Sequence, residues 1–226
     1  MRTRWLAEVW REVRWTCSAA AAWVGRHRFA TLCALIALAG LAVGCWPRDP
    51  AWSEWLREHV SPPVRIWAGR LRVWGAFNDT LVFTMVLYMA GVVRRRLAWR
   101  AAALAALLAS VTAGIAVNVL RVGLGRPRPR AELPNRFTGP SLEWKRQSFP
   151  SGHSGASWAC ASALVVTVPA YGTVAVISAS AVAVASMLNR SHFPGDVLVG
   201  SGMGMWIGLA FGMAARRRAR LGPPAQ

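Results

Sequence analysis

Six apolar stretches recur along the chain, at Phe29–Trp46, Val73–Val93, Leu97–Leu120, Ser154–Tyr171, Gly172–Asn189 and Val197–Ala215. Each is close to the ~20 residues a helix needs to cross a hydrocarbon core of about 30 Å. Such a core leaves backbone N–H and C=O groups no water to bond, so each stretch predicts a helix. Ahead of them, Trp5, Leu6, Val9, Trp10 and Val13 alternate with Arg2, Arg4, Arg11 and Arg14 at helical spacing. One apolar and one basic face predict a helix lying in the interface of an anionic leaflet. The pattern therefore predicts an all-α integral membrane bundle of six transmembrane helices with an N-terminal interfacial amphipathic helix. Residues 1–28 form the interfacial basic helix and residues 29–220 the membrane domain. Ala42-Val43-Gly44-Cys45 resembles a lipoprotein processing site, but the basic region before it is too long for a signal peptide. Small residues dominate spans three to six, at Ala101–Ala109, Ala179–Ser186 and Gly200–Gly212, and predict close helix approach.

Charge sets an orientation. Six spans put both termini on one side, together with Arg26 and Arg28, Arg94, Arg95 and Arg96, and Arg216, Arg217, Arg218 and Arg220. The positive-inside rule makes that side cytoplasmic. An uncharged tight turn near Pro169-Ala170-Tyr171-Gly172 falls there too. The opposite side receives the 47–72, 121–153 and 190–196 connections. The first of these, with Trp46, Trp52, Trp55, Trp67 and Trp74, predicts a helix in the headgroup layer. Its five arginines run against the orientation, though Asp49, Glu54 and Glu58 partly balance them. The expected location is a bacterial inner membrane, with the polar connections facing the periplasm or exterior.

Composition agrees: 54% of residues are hydrophobic and 16% charged, too apolar for a soluble or disordered chain. A net charge of +18, with Lys145 the single lysine, would suit nucleic acid in a soluble protein. Here the arginines flank apolar runs, so no nucleic-acid partner is expected. Cys17, Cys33, Cys45 and Cys160 show no CxxC pair and no clustering with histidine, and imply neither a disulfide framework nor a zinc site.

Three polar clusters interrupt the apolar chain, all at predicted helix ends on the outer side. Arg121, Arg126 and Arg128 carry guanidinium forks suited to phosphate. In Phe149-Pro150-Ser151-Gly152-His153-Ser154, Ser151 can cap a helix, and Gly152 lets an anion approach its free N–H groups. His153 stands there as a proton donor. In Asn189-Arg190-Ser191-His192-Phe193-Pro194-Gly195-Asp196, His192 and Asp196 lie four apart. A carboxylate holding one imidazole nitrogen leaves the other free as base or nucleophile. A bundle of spans three to six brings the clusters together. His27 and His59 have no comparable setting and are read as interfacial.

The basic residue seven positions before Arg128-Pro129, then Pro-Ser-Gly-His, then His-x-x-x-Asp, resemble the type-2 phosphatidic acid phosphatase family over roughly residues 73–215. That family also includes soluble vanadium haloperoxidases with a similar anion site, and six spans point to its membrane branch. The resemblance implies that Arg121, Arg128, Ser151 and Gly152 bind phosphate. It implies that His153 protonates the leaving oxygen, and that His192, oriented by Asp196, attacks phosphorus to form a phosphohistidine. Two positions depart from the family pattern: Arg121 stands where lysine is usual, and Ser186 where an arginine is usual. Arg190, about one helical turn on, is expected to take over that phosphate contact.

The expected protein is thus a metal-independent membrane phosphatase. It hydrolyses a phosphomonoester or diphosphate on a lipid at the outer leaflet, with no cofactor and no metal. Its partners are the membrane and a phosphorylated lipid such as undecaprenyl diphosphate, phosphatidylglycerol phosphate, phosphatidic acid or a lipid A phosphate. The alternatives are a lipid-to-lipid phosphotransferase and a non-enzymatic lipid-binding or translocating protein of the same fold.

Overall fold

The computed structural model describes residues 2–73 and 77–221, with side chains over 6–73 and 79–221. The side chains of Arg2, Arg4 and Trp5, and all of Trp74, lie outside the described residues. Every regular element described is helical: α1 (Arg2–Arg26), α2 (Arg28–Cys45), α3 (Asp49–His59), α4 (Pro62–Val73), α5 (Phe77–Val93), α6 (Leu97–Leu124), α7 (Gly152–Thr167), α8 (Pro169–Leu188) and α9 (Pro194–Leu221). A helix stands over each of the six apolar stretches. Of these, α2, α6, α8 and α9 are long and apolar enough to cross a membrane. α7 has 16 residues and lies inside the bundle, packed by α6, α8 and α9.

Two boundaries differ from the sequence expectation. The turn between α7 and α8 falls at Val168, because Pro169 occupies the first turn of α8, where its missing N–H leaves no bond unmade. The 47–72 stretch makes two helices. Pro62 and Pro63 cannot continue α3 but suit the first turn of α4.

The seam between α7 and α9 sets the geometry. Gly200, Gly204, Gly208 and Gly212 recur every four residues on one face of α9. A Cβ added at Gly204 would run into the Gly155 carbonyl oxygen, and one at Gly208 into that of Ala159. α6 lays Ala102, Ala105, Ala106, Ala109 and Ala113, all buried, against the same core. Ser110 Oγ of α6 donates to the Ala156 carbonyl of α7 at 2.9 Å. Where lipid removes the hydrophobic drive between helices, such close backbone contact supplies the attraction. α2 shows the opposite face of the same physics: none of its residues is buried, and Phe29, Leu35, Ile36 and Val43 are exposed. A continuous apolar helix surface of that kind fits hydrocarbon rather than water, and the chain is an integral membrane protein.

α6 and α8 end, and α7 and α9 begin, at one end of the bundle, so all three polar clusters meet there. Arg94–Arg96 and Arg216–Arg220 lie at the other end. α1 packs at that arginine-rich end, with Arg100 paired to Glu12 at 3.0 Å and Arg218 over the Trp15 ring at 5.8 Å. It also joins the bundle, through buried Thr16 and Ala20 and through Trp23 against Trp206, ring centroids 5.4 Å apart.

Gly204→Val should lower the detergent unfolding free energy by about 1–3 kcal/mol or more, since a backbone carbonyl cannot step aside. Gly40→Val, on lipid-facing α2 with nothing within 4 Å of an added Cβ, should change it little. Thermal unfolding of both variants checks the pair, and equal effects would remove the seam from its central place.

Candidate active site

α6 closes at Gly125, whose left-handed φ of 63° turns the chain inward and delivers Arg126 to the interior. Arg126 is 1% exposed. Its Nη1 donates to Asp196 Oδ1 at 2.5 Å, Nη2 to Asp49 Oδ2 at 2.8 Å and Nε to Asn135 Oδ1 at 3.0 Å. The guanidinium lies between the rings of Trp46 (4.4 Å) and Phe193 (4.2 Å). Asp49 Oδ1 also accepts the Gly195 N–H at 2.9 Å, tying the head of α3 to the start of α9. Arg126 is therefore committed to carboxylates and not to phosphate. Asp49 was not a sequence candidate; it read as one of three acids offsetting arginines.

His192 is 2% exposed, and its Nδ1 lies 2.7 Å from the Ser148 carbonyl oxygen. A carbonyl only accepts, so Nδ1 carries the hydrogen and Nε2 keeps its lone pair. Nε2 is buried with no hydrogen-bond partner among the described residues. The expected direct hydrogen bond from His192 to Asp196 is corrected: Nδ1 and Oδ2 stand 3.9 Å apart. Spacing of four pairs side chains on a continuous helix, whereas His192 precedes α9 in a turn and its ring swings to Ser148. Asp196 acts from behind instead. Its Oδ2 accepts the Ser148 hydroxyl and, at 2.9 Å, the Phe193 N–H. Ser148, fully buried, was missed because a lone serine in a polar connection carries no signal. Burial, then the charge of Arg128, holds His192 well below the usual histidine range, so the ring is neutral.

Beside it, α7 begins at Gly152, and its first-turn N–H groups have no intrahelical acceptor. Ser151 does not cap them; its hydroxyl pairs with that of Ser154 at 2.9 Å, while its N–H donates to the Asp196 carbonyl at 2.9 Å. Arg121 lies over Gly152 so closely that a Cβ there would meet its Nη2. Arg128, 4% exposed, is steadied by the Trp144 carbonyl at 3.1 Å and the Trp144 ring at 4.6 Å. Burial and the like charges of Arg121, Arg130 and Arg72 push it down to about 9. A third guanidinium comes from outside the motifs: Arg72 of α4 places Nη1 3.4 Å from His153 Nδ1. Arg72 Nε, Arg121 Nε and Arg128 Nη1 are buried without partners, and no carboxylate pairs with these three arginines among the described residues. A cavity of about 330 Å³, lined by Gly114, Ile115, Asn118, Arg121, Gly152 and His153, opens from this point along α6 and α7.

Arg190 does not join them. α8 ends at Leu188 and Arg190 takes a φ of 54°, so the extrapolation of one helical turn fails. Its guanidinium reaches the Pro129 carbonyl at 3.3 Å and Ser53 Oγ at 3.5 Å, with Glu132 at 3.9 Å. Ser186 stays buried, its hydroxyl donating to the Val182 carbonyl at 2.8 Å. Arginines without carboxylate partners around helix N–H groups are chemically suited to a multiply charged anion, and the imidazole nitrogen of His192 is without a partner among the described residues.

The family model of the PAP2 superfamily matches residues 101–219, beginning within α6 rather than near residue 73. The chain is 30% identical over 102 residues to the lipid A 1-phosphatase of Rhizobium etli, covering 44% of each chain. It therefore spans under half the length of that relative. It also resembles the crystal structure of a transmembrane PAP2 type phosphatidylglycerolphosphate phosphatase from Bacillus subtilis, with a TM-score of 0.62 at 21% identity. That likeness covers 80% of this chain and 92% of the other.

Asp49→Ala should leave Arg126 paired with Asp196 alone, strip Arg126 Nη2 and the Gly195 N–H of their buried acceptor, and lower stability by about 1–3 kcal/mol, the usual cost of leaving a buried donor unsatisfied. Chemical unfolding in detergent reads this. A loss under about 1 kcal/mol, the scale of an exposed pair, would show that the Asp49 contact holds nothing in place.

Proposed function

The chain belongs to the PAP2 superfamily, and on that footing we propose that it is a membrane lipid phosphatase working through a phosphohistidine on His192. The observation that carries the reading is the unpartnered Nε2 of His192 beside three arginines without carboxylates. Arg121, Arg128 and the first-turn N–H groups of α7 hold the phosphoryl oxygens, and Gly152 leaves room for the Arg121 guanidinium that lies over it. The His192 Nε2 lone pair attacks phosphorus in line with the leaving oxygen, forming P–N as P–O breaks. The ring becomes cationic, which the Ser148 carbonyl on Nδ1 and the Asp196 carboxylate 3.9 Å away both favour. Burial and the charges of Arg72, Arg121 and Arg128 disfavour a cationic His153; once the phosphate dianion offsets those charges, His153 takes a proton from solvent and gives it to the leaving oxygen. It then takes a proton from the water that attacks phosphorus, P–N breaks, and His192 regains its lone pair. The positive charge that phosphoryl transfer requires comes from arginines, so the mechanism is metal-independent.

The substrate class is a lipid phosphomonoester or diphosphate. The cavity along α6 and α7 supports this reading, since it runs from Arg121 and His153 toward apolar Ile115 and Val111. A headgroup can lie at the arginines while its tail stays in hydrocarbon. The arginine clusters at 94–96 and 216–220, at the far end of the bundle, support cytoplasmic termini and a site opening at the outer leaflet. α1 completes this arrangement as the interfacial helix on the cytoplasmic face.

Purified protein in detergent should release inorganic phosphate from at least one member of a lipid-phosphate panel, with vanadate inhibiting and a chelator without effect. His192→Ala should lower turnover by ~10⁴-fold or more, as expected for loss of a nucleophile. A variant that still turns over within tenfold of the parent would remove His192 from that role, and phosphate appearing on an added second lipid would make the protein a transferase.

Orientation has its own test, in a background lacking the four native cysteines. Arg136→Cys should react with an impermeant thiol reagent in intact cells and Arg217→Cys should not; the reverse pattern inverts the topology.

A further inference from the structure

We infer that Arg72 is a phosphate-binding residue that fills, from α4, the place left by the arginine missing at Ser186. This rests on the phosphatase reading above, but concerns a residue outside the region that matches the family. α4 packs along α8, and Gly69 stands one ordinary van der Waals contact from Asn189, where an added Cβ would lie 3.6 Å from its Nδ2. The last turn of α4 therefore arrives at the same end of the bundle as the C-terminus of α8, and Arg72 sits on that turn.

Its surroundings favour an anion. Nη1 touches only the His153 ring at 3.4 Å, and Nε is buried without a partner among the described residues. The charges near it, Arg130 and Arg121, are of its own sign. A buried Arg128 and two half-buried guanidiniums gathered without a carboxylate repel one another, and a dianion relieves that repulsion. Arg190, by contrast, has the Pro129 carbonyl, Ser53 and Glu132. Arg72 also acts on the acid: an arginine only donates, so in the resting site it keeps a proton off His153 Nδ1. When phosphate draws Arg72 onto its own oxygens, that nitrogen is released and His153 can take up the proton it delivers.

Two readouts separate this from a structural role: phosphate release from a lipid phosphate, and binding of orthovanadate measured by thermal shift. Arg72→Ala should lower turnover by about 100-fold or more and weaken vanadate binding by a similar factor, whereas Arg190→Ala should change either less than about threefold. Millimolar guanidinium should restore part of the Arg72→Ala turnover, which it cannot do for a folding defect. If Arg72→Ala does not fold, Arg72→Gln keeps the stem and should still weaken vanadate by at least about tenfold. Unchanged vanadate affinity in either folded variant overturns the inference. If the parent releases no phosphate from any lipid but Arg72→Ala still loses vanadate, the phosphatase reading falls and the Arg72 anion site stands. If the parent is active and the variants match it, only the Arg72 assignment falls.

Discussion

Arg126, almost without exposure and shared between Asp49 and Asp196, is the contact on which the reactive end of the bundle depends. It pins the head of α3, the chain leaving α6 and the first turn of α9 to one point. From that point the order propagates outward: Asp196 holds the Ser148 hydroxyl, the Ser148 carbonyl holds His192 Nδ1, and the Asp196 carbonyl holds the Ser151 N–H. The Asp196 carboxylate, shared with Arg126, stands 3.9 Å behind the imidazole. In the proposed reaction that carboxylate favours the cation that would form when Nε2 bonds to phosphorus, without a direct hydrogen bond from Asp196.

The site is divided electrostatically. Carboxylates stand behind His192, and arginines free of carboxylates stand in front of it. A buried charge costs several kcal/mol unless it is paired. On the rear side the pairing is internal and permanent; on the front side a ligand must supply it. Burial, and then the charges of Arg128, Arg121 and Arg72, keep His192 neutral. A neutral ring is the one that can attack.

Packing fixes where these charges stand. Glycines at every fourth position of α9 bring its backbone against α7, and alanines of α6 close the third side. With helices this close, the N-termini of α7 and α9 lie side by side, and Ser151, Asp196 and His192 share one small volume. A looser seam would separate the first turn of α7 from His192.

The sequence by itself determined the helices, the small-residue faces and the end at which the polar clusters meet, with Arg128, Gly152, His153 and His192 among them. Those follow from local rules: apolar run length, helical period and the free N–H groups of a helix start. It did not determine the partners. Arg126, Arg128 and Arg190 are the same residue type in similar polar connections, yet the first is paired with carboxylates inside, the second has no carboxylate among the described residues and the third turns to Pro129, Ser53 and Glu132. Asp49, Ser148 and Arg72 join the site from residues whose local sequence shows no chemistry. Hydrogen bonds and ion pairs between distant segments depend on directions set by φ at Gly125 and Arg190 and by the contact of α4 with α8. Only the assembled bundle decides them, because a side chain's charge is legible in the chain but its counter-charge is a matter of position in space.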